Sequence, residues 1–385
     1  MLKNEYTKTN LITYIGNKRK LLDDIESEII KIKGVLNKEL ITSFDGFSGS
    51  GSISRMLKYH SSNLIVNDLE EYSYRINKCY LSDPSDEQKQ VINKIITELN
   101  NMEYNVEGAI CKEYSPKDTN NIQEGERAFY TRENALIIDT IRSKIDSYPK
   151  EYFNYLIAPL LVKASINTNT SGVFKGFHKK SNIGHFGGKD EVNTESRIIK
   201  KIVLDPPLFS DHSHKCDVSV YKKDINKLIH ELPMIIDIAY LDPPYNQHPY
   251  GSNYFMLNTI INNKVEEDIS KVSGIPKKWN RSEYNYKKTA LQSMRDLISG
   301  IRALFIIISY NNEGIITEQD MVQLICDLDY KYELKKIKYN AYRGSRNLQN
   351  RDTMVEEYLW IINKSESIHN LETIRSNGSF DTKQI

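Results

Sequence analysis

Residues 235–245 read IIDIAYLDPPY, an apolar and β-branched segment that ends in the turn Asp242-Pro243-Pro244-Tyr245. Such a segment is typical of a buried strand that carries polar chemistry at its carboxyl end. The two prolines fix the backbone and donate no hydrogen bond, so the turn offers a ligand one carboxylate, carbonyl oxygens and a tyrosine ring. This set suits a planar molecule with an amino group. An ordinary turn without a ligand is the alternative, because Asp and Pro are common in turns.

A second motif lies near the start of the chain and predicts a strand–helix–strand unit. A strand is predicted over 40–44 and runs into the glycine-rich turn 45–51 (DGFSGSG). A helix is predicted to begin near Ser52, and a further strand over 63–66 ends at Asn67-Asp68. This order is typical of a doubly wound α/β fold.

The remaining sequence predicts a mainly helical middle and a return to strands. Helices are predicted over 18–33, 70–100, 132–146 and 151–168, a strand over 303–309, and an antiparallel hairpin over 332–339 and 357–363. Residues 171–230 show little periodicity. We therefore predict one α/β domain formed by 1–75 and 231–365, an inserted helical and loop-rich region at 76–230, and a flexible tail at 366–385.

The composition limits the classes of function. The 385 residues include 52 Lys and Arg against 51 Asp and Glu, so any surface for a polyanion must be a local patch. The four cysteines lie far apart without a Cys-x-x-Cys pair, and we predict neither disulfides nor a metal site. The N-terminus lacks the apolar core of a signal peptide, and no apolar run is long enough for a membrane span. We therefore expect a cytoplasmic protein without a membrane partner.

The glycine turn and the acid after the second strand suggest a nucleoside ligand. Gly49 and Gly51 let a ligand approach bare backbone. Position 54 is serine rather than the third glycine of a dinucleotide fingerprint, and the lysine of a P-loop is missing. Asp68 stands where an acid commonly accepts hydrogen bonds from ribose hydroxyls. These features fit S-adenosylmethionine, while a simple strand–helix connection is the alternative for the glycines.

In order, the motifs Tyr14-Ile-Gly-Asn-Lys18, Asp45–Gly51, Asn67-Asp68 and Asp242–Tyr245 resemble those of the Dam-like (alpha-type) DNA adenine-specific methyltransferases. More narrowly, the chain looks like the methylases of FokI-type restriction–modification systems. The resemblance implies a Rossmann-like S-adenosylmethionine-dependent methyltransferase sheet with an inserted DNA-recognition region. Asp45 stands where the family often has glutamate. The cofactor-binding residues expected on this basis are Tyr14, Lys18, Asp45, Phe47, Gly49, Gly51, Asp68 and Asp242.

The Asp-Pro-Pro-Tyr turn predicts the chemistry of methyl transfer to adenine. Asp242 and the Pro243 carbonyl would each accept one N–H of the exocyclic amine, which localises the nitrogen lone pair for attack on the sulfonium methyl. Asp242 is expected to stay ionised for this role. A base in a duplex must be flipped out to reach the turn, and Tyr245 would stack on it. The predicted catalytic residues are Asp242, Pro243, Pro244 and Tyr245.

A basic and aromatic segment, 173–201, is a candidate DNA surface. The resembling family inserts its target-recognition region at this place, although a merely solvated charged face is the alternative. Phe174, Phe177 and Phe186 interleave with its basic residues. A second patch is predicted at 277–281. The predicted DNA-binding residues are Lys175, Lys179, Lys180, Lys189, Arg197 and Arg343.

Two other classes of function stay open from the residues alone. An Asp-Pro-Pro-Tyr turn can serve other planar amines, so methylation of RNA or of a protein glutamine is one alternative. A nucleic-acid-binding protein without turnover is the other. The expected partners are double-stranded DNA and a cognate restriction endonuclease. The recognition sequence and the oligomeric state are not encoded in any pattern that we can interpret.

Overall fold

Seven strands form one central sheet in the order β5-β2-β1-β6-β7-β9-β8. The structure is a computed structural model that describes residues 5–187, 196–211, 214–340 and 354–368. A separate two-stranded hairpin pairs β3 with β4. The strands are β1 (Ile41–Asp45), β2 (Ser61–Asp68), β3 (Lys179–Lys180), β4 (Ile183–Gly184), β5 (Asp217–Lys222), β6 (Ile236–Leu241), β7 (Ala303–Asn311), β8 (Lys331–Asn340) and β9 (Met354–Asn363).

The helices that the structure describes flank this sheet or form a body beside it. They are α1 (Glu5–Lys8), α2 (Leu22–Leu36), α3 (Ser52–Lys58), α4 (Glu71–Tyr80), α5 (Asp86–Asn101), α6 (Ala109–Glu113), α7 (Arg132–Ile145), α8 (Phe153–Ile166), α9 (Ile225–Leu228), α10 (Tyr250–Asn253), α11 (Phe255–Asn262), α12 (Ala290–Gly300) and α13 (Glu318–Asp327). In the part of the chain that the structure describes, no helix has the length and apolar character needed to span a bilayer.

The sheet is parallel from β5 to β7 and antiparallel at the β7–β9–β8 edge. Both β6 and β7 are buried along their whole length, which explains their continuous apolar sequences. The predicted α/β fold, its first strand–helix–strand unit and the C-terminal hairpin are confirmed. Because the parallel strands share one direction, their carboxyl ends meet along one edge of the sheet, where ligands bind in such folds.

Strand β5 was not predicted. It lies within the range assigned to the insertion, yet it pairs with β2 from Asn63↔Asp217 to Asp68↔Lys222 and forms the edge of the sheet. Only Val220 of its six residues is buried, so the strand lacks the apolar signal of β6. The central sheet therefore extends into the interval 76–230. The predicted tail falls mainly on 369–385, outside the described residues.

Three apolar clusters organise the molecule. Two of them, here called the sheet cores, lie on the faces of the central sheet and are centred on β6, β7 and their neighbours. The third, here called the helical core, joins α4, α5, α7, α8 and α11. Tyr14 packs against the helical core, whereas Phe47 and Tyr245 pack against one of the sheet cores. The boundary between these cores meets the carboxyl edge of the sheet.

Candidate active site

A cleft crosses the carboxyl ends of β5, β2, β1 and β6. It holds about 660 Å³, including its solvent-open mouth. Four of the predicted cofactor residues lie on its wall, namely Tyr14, Phe47, Asp68 and Asp242. Two others contact these residues: Lys18 pairs with Asp242, and the Gly49 N–H donates to Asp68. The lining residues are Tyr14, Phe47, Asn67, Asp68, Leu69, Glu70, Lys223, Asp224, Ile225, Asp242, Pro244, Tyr250, Asn280, Ser282 and Asn285.

In the glycine turn between β1 and α3, the ring of Tyr14 packs directly against the backbone of Gly49. Gly49 has φ +50° and Gly51 has φ +76°, values that L side chains rarely adopt. A Cβ on Gly49 would lie 2.7 Å from the ring of Tyr14, and one on Gly51 would lie 2.4 Å from Asn77 Oδ1. Both glycines are therefore required by backbone conformation and by close packing.

Asp68 closes the same turn from the end of β2. Its Oδ2 accepts a hydrogen bond of 2.7 Å from the backbone N–H of Gly49, and its Oδ1 accepts one of 2.9 Å from Glu70. Burial raises the pKa of Asp68, and it raises the pKa of the neighbouring Glu70 to about 7. Asp68 thus fixes the turn and lies on the wall of the cleft.

Asp242 follows β6 and forms an ion pair with Lys18. The Lys18 Nζ lies 3.2 Å from Asp242 Oδ1 and donates to Glu357 Oε1 at 2.6 Å. Glu357 comes from β9 and is fully buried, Lys18 is nearly so, and Asp242 keeps 19% exposure toward the cleft. The structure therefore brings the predicted Lys18 and Asp242 together and adds a second carboxylate that was not predicted.

The expectation that Asp242 stays fully ionised requires correction. Burial raises its pKa to about 7, because the opposing effect of Lys18 does not compensate for the loss of water. Burial therefore favours the protonated form of Asp242 in the ligand-free protein, against the opposing effect of Lys18. Burial also raises the pKa of Asp45 to about 7, with additional repulsion from Asp242 and Asp68.

Aromatic rings line the region around Asp242. Tyr14 stacks on Tyr250 with centroids 5.1 Å apart and on Tyr254 at 4.9 Å. Tyr245, of the Asp-Pro-Pro-Tyr turn, lies with its ring centroid 5.9 Å from Lys18 Nζ and packs edge-on against Tyr310. Flat apolar surfaces are thus present on both sides of the acidic group.

The predicted basic segment contains an exposed hairpin. Lys179 and Lys180 form β3, and the connecting residues Ser181 and Asn182 have φ of 48° and 69°, as in a type I′ turn. Lys175 is also exposed, and its Nζ lies 3.2 Å from His248 Nδ1, close to the catalytic turn in sequence. These three lysines are available to a partner and lie on one continuous segment.

The structure gives less support to the other residues that the sequence places on the DNA surface. The Arg197 guanidinium donates to the carbonyl oxygens of Ile166 and Thr168, at and just beyond the end of α8, so its geometry indicates a structural role. Phe174 and Phe186 are buried rather than exposed to bases. Lys189 and Arg343 lie outside the described residues.

Several lining residues were not predicted because no local sequence pattern marks them. Lys223, Asp224 and Ile225 follow the unpredicted strand β5. Tyr250 and the segment 280–285 reach the cleft through distant chain folding, with Asn285 Nδ2 donating to the Asn246 carbonyl at 2.7 Å. The sequence signal nearest to these lining residues is the basic and aromatic segment 277–281, for which the sequence predicts a DNA-binding patch rather than a part of the cleft.

Comparison with known proteins agrees with this geometry. Residues 14–324 match the family profile of the D12 class N6 adenine-specific DNA methyltransferases. The chain is 31% identical to the type II methyltransferase M.CviAII of Paramecium bursaria Chlorella virus 1, across 92% of this chain and 98% of that protein. It is 29% identical to M.NlaIII of Neisseria lactamica, across 92% and 100%. M.FokI of Planomicrobium okeanokoites is 27% identical across 96% of this chain and 55% of its own length.

A solved structure, the rRNA methyltransferase aviRa from Streptomyces viridochromogenes, aligns over 95% of this chain and 93% of its own. Its identity is 9% and its TM-score is 0.30, too low to inform the assignment. The family match spans most of the chain and contains both halves of the cleft, with the Tyr14–Lys18 segment and the Asp242–Tyr245 turn. This chain belongs to the D12 class of N6 adenine-specific DNA methyltransferases.

Proposed function

We propose that this chain transfers a methyl group from S-adenosylmethionine to the exocyclic amine of an adenine that is flipped out of a specific duplex sequence. The observation that carries the proposal is the position of Asp242. It lies at the carboxyl end of β6, on the wall of the cleft, beside Lys18 and the Pro244 backbone. A carboxylate in this position can orient a planar amine next to a nucleoside-sized space.

The cleft residues fit a nucleoside that carries positive charge. In the described part of the chain, Asp45 Oδ1 is buried without a hydrogen-bond partner. Asp68 and Asp242, both on the cleft wall, repel the buried Asp45, and a cationic ligand beside them would relieve this repulsion. S-adenosylmethionine would supply a methyl group on a positively charged sulfur. Tyr14, Lys18, Asp45, Phe47, Gly49, Gly51, Asp68 and Asp242 are the residues proposed to hold it.

The catalytic turn would bind and orient the target base. Asp242 and the carbonyl oxygen of Pro243 would each accept one N–H of the amine, while the Pro244 backbone limits the space. Correct positioning alone contributes about 7–11 kcal/mol in favourable reactions. Tyr245 would stack on the flipped base, an interaction that contributes about 1–3 kcal/mol in single-strand binders.

The hairpin β3–β4 and Lys175 are proposed to contact DNA phosphates, since these lysines are exposed on one segment. Lys189 and Arg343 stay part of this proposal on sequence grounds alone. M.CviAII and M.NlaIII are type II methyltransferases, and we extend this to the present chain as a role in a restriction–modification system with a cognate endonuclease. A cytoplasmic location belongs to the same proposal.

The test is methyl transfer with labelled S-adenosylmethionine to duplex DNA, structured RNA or protein in parallel. We expect label in duplex DNA, recovered as N6-methyladenine after digestion to nucleosides and mass spectrometry. Asp242→Ala should abolish the transfer and leave the thermal unfolding transition in place, because the side chain is lost only from the cleft wall.

The chain offers a matched control for this variant. Asp205-Pro206-Pro207 repeats the first three residues of the catalytic turn, but Asp205 lies on an irregular surface segment and pairs with Lys163 at 2.5 Å. Asp205→Ala should retain near-native activity. Turnover by Asp242→Ala, or label found in RNA or glutamine rather than DNA, would refute the proposal.

A further inference from the structure

Lys18 is shared unequally between two carboxylates, Asp242 after β6 and Glu357 on β9. Its ammonium lies 2.6 Å from Glu357 Oε1 but 3.2 Å from Asp242 Oδ1. Glu357 is fixed by a second hydrogen bond, because Ser309 Oγ of β7 donates to the same Oε1 at 2.5 Å. The sheet therefore holds the lysine closer to Glu357 than to the acid at the cleft.

This asymmetry matters because Asp242 and the target amine compete for the same hydrogen bonds. A buried ammonium paired with Asp242 alone would occupy the carboxylate oxygen that the amine needs. Glu357 offers the ammonium an alternative acceptor in a site where it cannot be solvated by water. Lys18 thus balances the negative charge of Glu357, and Asp242 keeps an oxygen that can accept a hydrogen bond from the amine.

We propose that Glu357 is a positioning residue for methyl transfer, which holds Lys18 back so that Asp242 stays available to the adenine amine. The inference rests on the proposed role of Asp242 as the amine acceptor. Glu357 lies outside the motifs that point to the site, next to residues 358–362 of the same strand, which pack in the sheet cores.

Several titratable groups interact electrostatically with Asp242, and of these Lys18 lowers its pKa and Glu357 raises it. They are Lys18 of the N-terminal segment, Glu357 of β9, Tyr240 of β6, Asp45 of β1, and Tyr245 and Tyr250 on the cleft side. Of these, Lys18 carries positive charge, and Glu357 is the carboxylate in direct contact with it. Removing the charge of Glu357 should therefore act on Asp242 in two ways: it ends a direct repulsion, and it frees Lys18 to pair with Asp242.

The test is Glu357→Gln in single-turnover methylation of unmethylated duplex DNA between pH 5.5 and 9. For the wild type we expect a rate that rises with pH around 7, as Asp242 loses its proton. In the variant, Lys18 should move onto Asp242 and stabilise its carboxylate. The acid limb should shift to lower pH by about one unit or more. The plateau rate should fall about tenfold, because Lys18 would then occupy the Asp242 oxygen that accepts the hydrogen bond of the target amine.

Two further variants keep the outcome interpretable. Glu357→Asp retains the charge, so its acid limb should return toward that of the wild type even if its stability falls. Glu28→Gln removes a buried carboxylate from a distant cluster with Lys31 and Lys335, and it should leave the pH profile unchanged.

An unchanged limb and plateau in Glu357→Gln, with Asp242→Ala inactive, would overturn this inference and leave the proposed function intact. A lower plateau with an unmoved limb would also overturn it, since that pattern indicates only structural damage. Activity in Asp242→Ala would instead remove the proposed function itself.

Discussion

At the scale of single residues, Asp45 shows that the site is built at a cost to stability. Its side chain is fully buried, Ser54 donates to Oδ2 at 2.5 Å, and Oδ1 has no donor in the described part of the chain. Its pKa of about 7 in the folded protein lies far above the usual 3.8. The folded state thus holds a proton that the unfolded chain releases, so this contribution to stability is fully present below about pH 4 and is lost progressively as pH rises from there through 7.

We predict that Asp45→Asn stabilises the ligand-free protein more at pH 8 than at pH 5, with a difference of about 2–3 kcal/mol between the two pH values. Asparagine keeps an acceptor for Ser54 but carries no charge to bury. The measurement is thermal or urea unfolding at both pH values.

A neighbouring strand supplies the control for this prediction. Asp237 is also buried, but its Oδ1 pairs with Lys38 at 2.7 Å and its Oδ2 accepts from the Thr42 N–H at 2.9 Å. Asp237→Asn should therefore lower stability at pH 8. Equal destabilisation by both substitutions would show that Asp45 carries no unrelieved charge.

At the scale of elements, the hairpin β3–β4 exposes two lysines and is held in place by buried contacts. Asn169 is buried and its Nδ2 donates to the carbonyls of Ala128 and His185 at 2.8 and 2.9 Å. Gly184 packs so closely that a Cβ would lie 2.7 Å from Ala128 Cβ. The two lysines of β3 are therefore carried by a fixed element.

We predict that Lys179→Glu with Lys180→Glu weakens binding to all duplex sequences and makes the dependence of affinity on salt less steep. Each phosphate contact that is lost reduces the slope of log K against log salt by about one. Fluorescence anisotropy with labelled duplexes at several salt concentrations measures this slope. The same reversal at Lys89 and Lys94 of α5 should leave it unchanged. A wild-type slope in the hairpin variant would exclude the hairpin from the interface.

The elements also show which parts of the site a sequence can encode. Strand β6 and its turn were predictable because a continuous apolar run ends in polar residues. The glycines were predictable because their turn needs positive φ. Strand β5 was missed because it is a half-exposed edge. Glu357 was missed because its function depends on Lys18, 339 residues away, and no local pattern records that contact. Phe174 and Phe186 were misassigned because composition does not distinguish a buried ring from an exposed one.

At the scale of the whole molecule, the cleft is bounded by two apolar cores. Tyr14 and Tyr250 belong to the helical core side, and Phe47 belongs to a sheet core. A ligand in the cleft would therefore contact both, and its binding free energy should stabilise both together.

We predict that S-adenosylhomocysteine, at about one hundred times its Kd, stabilises the protein by about 2.7 kcal/mol in a single shifted transition. Scanning calorimetry with and without the ligand measures this shift. Asp68→Ala, which removes the proposed ribose acceptor, should show a much smaller one at the same concentration. Two transitions of which only one moves would show that the cleft does not join the cores.

The ion pair between Lys18 and Glu357 has a consequence for how the protein is made. Lys18 leaves the ribosome early, whereas Glu357 lies on the last strand added to the central sheet in the described part of the chain. A nascent or prematurely terminated polypeptide can hold the glycine turn and Asp242 and still lack the acid that restrains the lysine. The pairing that restrains Lys18 is therefore completed only after β9 has been made and inserted between β7 and β8.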